Sequence, residues 1–147
     1  MRTMLHPART SPVLQDAALL IARVAIGFIL MAHGLQKYLE YTLDGTVASF
    51  TQMGVPAPGF SAVFAATVET VGGAALILGL LTPVAAALNV LNLIGALVIV
   101  HAGKGVFVDG GGYELVLALI AGLVVVALLG AGRISLDQLI SRRRRTA

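Results

Sequence analysis

Four long apolar runs dominate this chain and limit what it can fold into. They cover residues 13–38, 60–81, 84–101 and 113–129, and none contains more than three charged residues. A transmembrane helix needs about 20 mostly apolar residues to cross the roughly 30 Å hydrocarbon core of a bilayer. Only 12% of the residues are charged, against roughly a quarter in soluble domains, so a buried helical subunit of a large soluble complex is the lesser alternative. We predict an all-α fold with four transmembrane helices.

Short connections set the directions of neighbouring helices. Thr82-Pro83 leaves so short a turn between the second and third runs that these helices must be antiparallel. Residues 41–59 form a longer connection, in which Val47–Met53 predicts two turns of helix at the membrane interface. A short amphipathic helix is also predicted over Ile134–Ile140. The expected architecture is an antiparallel four-helix bundle over residues 13–132.

The positive residues predict the orientation of this bundle. Seven fall on one side of a four-span chain, whereas Lys37 and Lys104 fall on the other. Cytoplasmic segments carry the excess of Lys and Arg, so both the N and C termini are expected in the cytoplasm. Residues 1–12 are then a disordered cytoplasmic start, with a signal peptide as the alternative, and residues 133–147 are a basic cytoplasmic tail. The seven residues are Arg2, Arg9, Arg133 and Arg142–Arg145.

This basic charge does not indicate a nucleic-acid binding protein. The net charge is +3, much of it lies in the run Arg142–Arg145, and no aromatic residues are interleaved there to stack on bases. Such a tail is expected to contact anionic membrane lipid. The chain has no cysteine, so a redox role would need a bound cofactor, a quinone or a partner.

Charged residues inside the apolar runs are expected to be paired, because a charge at membrane depth costs about 3 kcal/mol or more. Arg23 and Glu69 lie at similar depth near the bilayer centre and predict a buried ion pair. Lys37 and Glu114 lie near the outer surface and predict a second pair. Either pair could serve only to fix helix register. The outer pair lies beside a glycine-rich loop, which favours a binding site there.

His33 and His101 end the first and third apolar runs on the same side of the bundle. Three interpretations stay open: haem ligands, which are the least favoured; proton-exchanging groups beside a quinone or substrate; or helix-end residues bonded to loop carbonyls. Together with Glu114 they could make a metal-binding set, but the spacing does not require one and no metal site is predicted. By helical-wheel arithmetic, His101 does not share the face of the small-and-polar stripe on its helix, which consists of Ala85, Asn89, Asn92 and Ala96.

Eight short segments with polar, glycine or proline residues occur along the apolar chain. They are Ala22–Gly27, Ala32–Lys37, Gly54–Pro58, Glu69–Gly73, Leu78–Pro83, His101, Gly111–Glu114 and Gly132–Asp137. In this order and spacing they resemble the DoxX family of small bacterial membrane proteins. No segment is specific alone, and it is their joint order over almost the whole chain that carries the resemblance.

The resemblance implies a multi-pass protein of the bacterial plasma membrane with a link to oxidoreductases, because the family is named with subunits of a thiosulfate:quinone oxidoreductase. We therefore expect a membrane subunit of a redox system that binds a quinone or small polar substrate at the outer end of the bundle, beside a redox-enzyme partner. The candidate residues group by role. They are His33, His101 and Glu114 for catalysis, Gln36, Lys37 and Tyr113 for substrate binding, and Arg23 with Glu69 as the buried ion pair.

Two other function classes stay open. A small transporter would need a homodimer, for which Ala118 and Gly122 on the fourth helix supply small residues. Neither a broken helix nor an inverted repeat is evident, however. The other class is a non-catalytic assembly factor. A purely structural role of the outer pair predicts that Lys37→Met together with Glu114→Leu is tolerated.

Overall fold

All regular secondary structure is helical in the part of the chain that a computed structural model describes, which is residues 11–145, with side chains through residue 143. A π-helical turn, Leu97–His101, continues the fourth helix, and a 3-10 turn, Val108–Gly110, precedes the fifth. The α-helices are α1 (Pro12–Leu39), α2 (Thr42–Gln52), α3 (Pro58–Leu78), α4 (Thr82–Ala96), α5 (Glu114–Leu129) and α6 (Leu136–Arg145).

Three of these helices are long and apolar enough to cross a membrane. They are α1 with 28 residues, α3 with 21, and α4 together with its π turn with 20. The fourth apolar run forms α5, which has 16 residues and extends only about 24 Å at 1.5 Å per residue. The all-helical prediction is confirmed, with three long apolar spans and a shorter fourth apolar helix.

Several helices begin or end at other residues than predicted, because local hydrogen bonds or backbone conformations set their ends. Ser11 accepts a hydrogen bond from the Leu14 amide and begins α1, whereas residues 1–10 of the predicted disordered start lie outside the described residues. α3 ends at Leu78, earlier than expected, because Gly79 adopts a left-handed conformation with φ of 67°. The two short helices predicted over residues 47–53 and 134–140 form α2 and α6, and both are longer than predicted.

α1 and α3 pack antiparallel and very closely, because glycines lie where the two helices meet. A Cβ added to Gly73 would lie 2.6 Å from the carbonyl oxygen of Gly27. Two turns further along α1, a Cβ added to Gly34 would lie 2.5 Å from the backbone nitrogen of Thr70. Only hydrogen at these positions lets the backbones approach so closely. This contact fixes the relative height of all residues on the two helices.

The apolar core lies between α1, α3, α4 and α5. Its most deeply buried side chains include Leu30, Leu76 and Leu123. α2 lies against α1 and α3, where the buried Thr46 hydroxyl donates to the carbonyl oxygen of Lys37 at 3.2 Å and to that of Thr42 at 2.9 Å. The helix bundle has two ends. We call the end with the α3–α4 turn the turn end, and the end with the α4–α5 loop the loop end.

At the turn end, polar contacts fasten the C-terminal segment to the helices. Arg133 pairs with Asp16 of α1 through Nε and Oδ2 at 2.5 Å. The Asp137 carboxylate accepts from the amides of Leu81 at 2.7 Å and Thr82 at 3.0 Å, so it caps α4 from a distant part of the chain. The amide of Asp137 donates in turn to Gly79 at 2.9 Å. The start of α6 is therefore held at one position against the α3–α4 turn.

Candidate functional site

A cavity of about 500 Å³ lies at the loop end of the bundle. The C-terminal half of α1, the end of α2, the N-terminal half of α3, α4 with its π turn, and the start of α5 all contribute walls. Most of the lining is apolar, including Leu30, Phe50, Met53, Phe64, Ile99, Val116 and Leu119. The polar lining residues are His33, Lys37, Ser61, Glu69, Asn92 and His101. Cavities of this volume and character hold small apolar ligands with a few polar atoms.

Three of the polar residues form a connected group, which we call the Glu69 cluster: Glu69, Lys37 and Asn92. The Glu69 residue is only 6% exposed. Its Oε2 lies 2.5 Å from Lys37 Nζ, and its Oε1 accepts from Asn92 Nδ2 at 2.9 Å. Lys37 Nζ also donates to the His33 carbonyl oxygen at 3.3 Å. A carboxylate buried among apolar side chains is stable here because both of its oxygens are bonded and its charge is paired.

The expected ion pair between Arg23 and Glu69 is not formed, and helix register explains why. Gly27 lies against Gly73, so Arg23 stands opposite Ile77. Ile77 is eight residues from Glu69, which is about 12 Å along the helix axis. Lys37 reaches Glu69 instead, because side chains on a helix lean toward its N-terminus, here down to the level of His33.

Arg23 has a structural set of partners at the turn end. It is 2% exposed, and its guanidinium donates to the carbonyl oxygens of Leu76 at 3.2 Å, Ile77 at 3.3 Å and Ile134. The first two carbonyls belong to the last turn of α3, where cations are favoured, and that of Leu76 also accepts from the Gly79 amide at 3.2 Å. Arg23 therefore joins the end of α3 to the segment before α6, far from the cavity.

The two histidines both line the cavity, although helical-wheel arithmetic separated His101 from the polar face of its helix. The π turn over Leu97–His101 explains the difference, since its wider i→i+5 bonding changes the angular spacing of the residues that follow Ala96. His101 Nδ1 lies 2.7 Å from the carbonyl oxygen of Gly111, which matches the helix-end interpretation while the ring still borders the cavity. His33 lines the opposite wall on α1.

The remaining predicted site residues lie outside the cavity lining. Glu114 does not pair with Lys37; its Oε1 accepts from the Val108 amide at 2.7 Å and so orders the α4–α5 loop. Gln36 donates to Glu40 at 2.9 Å on an exposed part of α1. Tyr113 immediately precedes α5 as its N-cap residue. The two-His-one-carboxylate set is therefore not assembled, and the described residues contain no group of three His, Cys, Asp or Glu able to hold a metal.

The sequence prediction missed Asn92 as a member of the site. The sequence placed Asn92 only in the small-and-polar stripe of its helix. In the structure, its side-chain amide donates to Glu69. The signal was present, because an amide in the middle of an apolar helix requires a partner and Glu69 was the acid at comparable depth. Phe50 and Met53 were expected at the membrane interface, and they line the cavity.

The predicted dimer residues have different surroundings in the folded chain. Gly122 faces α1, where an added Cβ would lie 2.6 Å from Ile26 Cδ1, whereas Ala118 is exposed. Gly122 thus serves packing within the chain.

Comparisons with known proteins agree on the family. The DoxX family model matches residues 18–102. The Bacillus subtilis (strain 168) protein named "Putative oxidoreductase CatD" is 31% identical over 126 residues, which cover 86% of this chain and 89% of that protein. The Escherichia coli (strain K12) protein "Inner membrane protein YphA" is 30% identical over 125 residues, covering 82% and 88%. The Mycobacterium tuberculosis protein "Uncharacterized membrane protein Rv3486" is 31% identical over 131 residues, covering 82% and 80%.

No solved structure matches the chain. The family match extends over more than half of the residues, and the relatives are aligned along most of their own length. Its apolar helices are those of a membrane protein. This chain is a membrane protein of the DoxX family.

Proposed function

We propose that this chain is the membrane subunit of an oxidoreductase system and that it binds a quinone in the loop-end cavity. The observation that carries the proposal is the cavity itself, an apolar space of about 500 Å³ with the Glu69 cluster on its wall. The name of the Bacillus subtilis relative, which contains the word oxidoreductase, supports the redox assignment.

A quinone fits the chemistry of this cavity. Its ring and prenyl tail are apolar and match the surrounding Leu, Ile, Phe and Val side chains. Its two carbonyl oxygens accept hydrogen bonds and therefore need donors. An ammonium has three N–H groups, of which Lys37 uses two on Glu69 and His33. The amide of Asn92 has two N–H groups and uses one on Glu69. Each residue retains one donor for a ligand.

Reduction of a quinone consumes two electrons and two protons, and oxidation of a quinol releases them. A redox enzyme beside this subunit would exchange the electrons, since the chain has no cysteine for a thiol relay. The imidazoles of His33 and His101 border the cavity, and an imidazole can donate or accept a proton beside a bound quinone. The carboxylate at the cavity is that of Glu69 and not that of Glu114, which bonds to the loop.

In this proposal α1, α3, α4 and α5 all cross the bacterial plasma membrane, and both termini lie in the cytoplasm. The excess of arginine near the turn end supports the orientation. The loop end and its cavity then lie toward the outer face. The short α5 can span by local thinning of the bilayer around it.

Gly95 offers a direct test of the cavity. It lines the cavity, and a Cβ added there meets nothing within 4 Å. We expect Gly95→Leu to fill part of the cavity without disturbing the helices, because leucine also has the higher helix propensity. The full chain is purified with native lipid, bound quinone is extracted and quantified, and binding of a short-chain ubiquinone is measured by calorimetry. Gly95→Leu should weaken this binding by about tenfold or more, in line with the loss of a well-packed apolar contact.

The matched control is Gly59→Leu, since Gly59 lies on α3 outside the cavity and also has open space around it. This variant should bind the quinone as the unaltered protein does. The proposal fails if the unaltered protein neither retains nor binds a quinone, or if Gly95→Leu binds it with unchanged affinity.

A further inference from the structure

We propose that the turn end carries a second binding site, for one anionic phospholipid, formed by α6 and the α3–α4 turn. A groove of about 510 Å³ runs there between the start of α4 and α6. Its lining is mostly apolar and includes Leu81, Val84 and Ile140. Leu81 is 63% exposed and Val84 55%, so these side chains lack a protein cover in the described part of the chain. An acyl chain supplies the apolar surface that such a groove lacks.

The polar edge of the groove favours a negatively charged headgroup. Ser141 lines its edge, and the run Arg142–Arg145 follows directly on α6. Arg142 is exposed. Guanidinium groups bind phosphate through paired N–H donors and are favoured for phosphate recognition. The sequence thus places four consecutive positive charges directly after the groove residue Ser141, which matches a lipid with a net negative charge better than a zwitterionic one.

The one acidic side chain of the groove does not oppose this charge pattern. Asp137 has both carboxylate oxygens bonded, one to the Leu81 amide at 2.7 Å and the other to the Thr82 amide at 3.0 Å. Its negative charge is thereby directed at the positive N-terminal end of α4. The same contacts hold the start of α6 beside the groove, and the arginine run follows in the same helix.

The apolar side of α6 points to a membrane surface as the source of the ligand. Leu136, Leu139 and Ile140 recur at helical spacing, and Leu139 is 56% exposed. A short helix with exposed leucine and isoleucine on one side and arginines beyond is typical of segments that lie in the headgroup region. This site lies at the opposite end of the bundle from the quinone cavity and does not depend on it.

The test compares lipid binding to the full chain by native mass spectrometry in detergent. Phosphatidylglycerol and phosphatidylcholine with identical acyl chains are titrated separately. We expect phosphatidylglycerol to bind about tenfold more tightly or better at low salt, as expected for several arginines near the headgroup. The preference should shrink at high salt because the charges are screened. Glycerophosphate alone should not displace the lipid, since it cannot occupy the apolar groove.

Three variants test whether the positive charge on α6 causes the preference for phosphatidylglycerol. Replacement of Arg142–Arg145 by glutamine should abolish the preference for phosphatidylglycerol, while replacement by lysine, which keeps the charge, should retain most of it. Lys104→Gln removes a charge at the loop end and should change nothing. Equal binding of both lipids by the unaltered protein, or a preference that survives in the glutamine variant, would overturn the proposal. Displacement by glycerophosphate would also overturn it.

Discussion

Lys37 on α1 and Glu69 on α3 form an ion pair of 2.5 Å in which the side chains are 18% and 8% exposed. The pair joins the two helices that make the closest contact in the fold, and it does so at the wall of the cavity. It can therefore hold the helices together and also present donors to a ligand. These two roles respond differently to substitution.

Removal of Lys37 alone should destabilise the protein strongly. Lys37→Met leaves the Glu69 carboxylate buried without its cation, a change that costs about 3–5 kcal/mol in comparable buried pairs. Unfolding by sodium dodecyl sulfate in mixed micelles measures the loss. Glu40→Gln, on the exposed end of the same helix, is the control and should have little effect.

The double variant Lys37→Met with Glu69→Leu separates stability from binding. It replaces both charges by apolar groups, so most of the lost stability should return. Quinone binding should not return, because the donor on Lys37 is missing. A double variant that binds quinone normally would show that the pair serves the fold alone.

Arg23 should prove necessary for the turn end but not for the cavity. Arg23→Lys keeps the charge, but a single ammonium cannot reach both the last carbonyls of α3 and that of Ile134 as the guanidinium fork does. We expect a loss of at least about 2 kcal/mol, from carbonyls left without their charged donor. Amide hydrogen exchange should rise around Ile134 and stay unchanged around His101. Faster exchange at the loop end alone would contradict this assignment.

The glycine contact between α1 and α3 gives a prediction on packing. Gly73→Ala would place a methyl group 2.6 Å from backbone atoms of Gly27 and Met31, so the helices must separate. Overpacking of this kind costs about 1–3 kcal/mol. Gly59→Ala on the same helix meets open space and should be neutral or slightly stabilising. Equal unfolding midpoints for the two variants would argue against a close α1–α3 contact.

The cap that Asp137 provides to α4 should be measurable in two places. Asp137→Ala removes the acceptor for the Leu81 and Thr82 amides and should cost about 1 kcal/mol, as for other N-cap losses. Hydrogen exchange should increase at those two amides and along α6 together, because one side chain holds both. Gln138→Ala, the neighbouring position, serves as control. Asp137→Asn retains one acceptor and should fall between the two.

Helix positions followed from the sequence because hydrophobic length and breaker residues act locally. α5 ends at Leu129, where the apolar run also ends, and the early end of α3 depends on one left-handed glycine, Gly79. The all-helical class is equally a consequence of apolar run length, since backbone groups in lipid must bond within their own helix.

The polar pairing could not be derived in the same way. It depends on the relative height of α1 and α3, which the Gly27–Gly73 contact sets to within one turn. Arg23 and Glu69 match in depth only when depth is counted from the helix ends. A shift of α3 along α1 by about two helical turns is enough to make Lys37, and not Arg23, the partner of Glu69. The π turn was beyond prediction for a similar reason, since none of the residues in Leu97–His101 is a known marker of wider turns.

The π turn also makes the cavity sensitive to insertions and deletions. A π turn accommodates about one residue more than the regular helix would over the same rise. Deletion of the exposed Val98 should therefore close the π turn into an ordinary α-helix and change the cavity wall locally at Ile99 and Val100, with the flanking residues held in place, while Val98→Ala should leave the wall as it is. Quinone retention by the two variants distinguishes them. The shape of this wall is accordingly specified by the number of residues between Ala96 and His101 as much as by their identities.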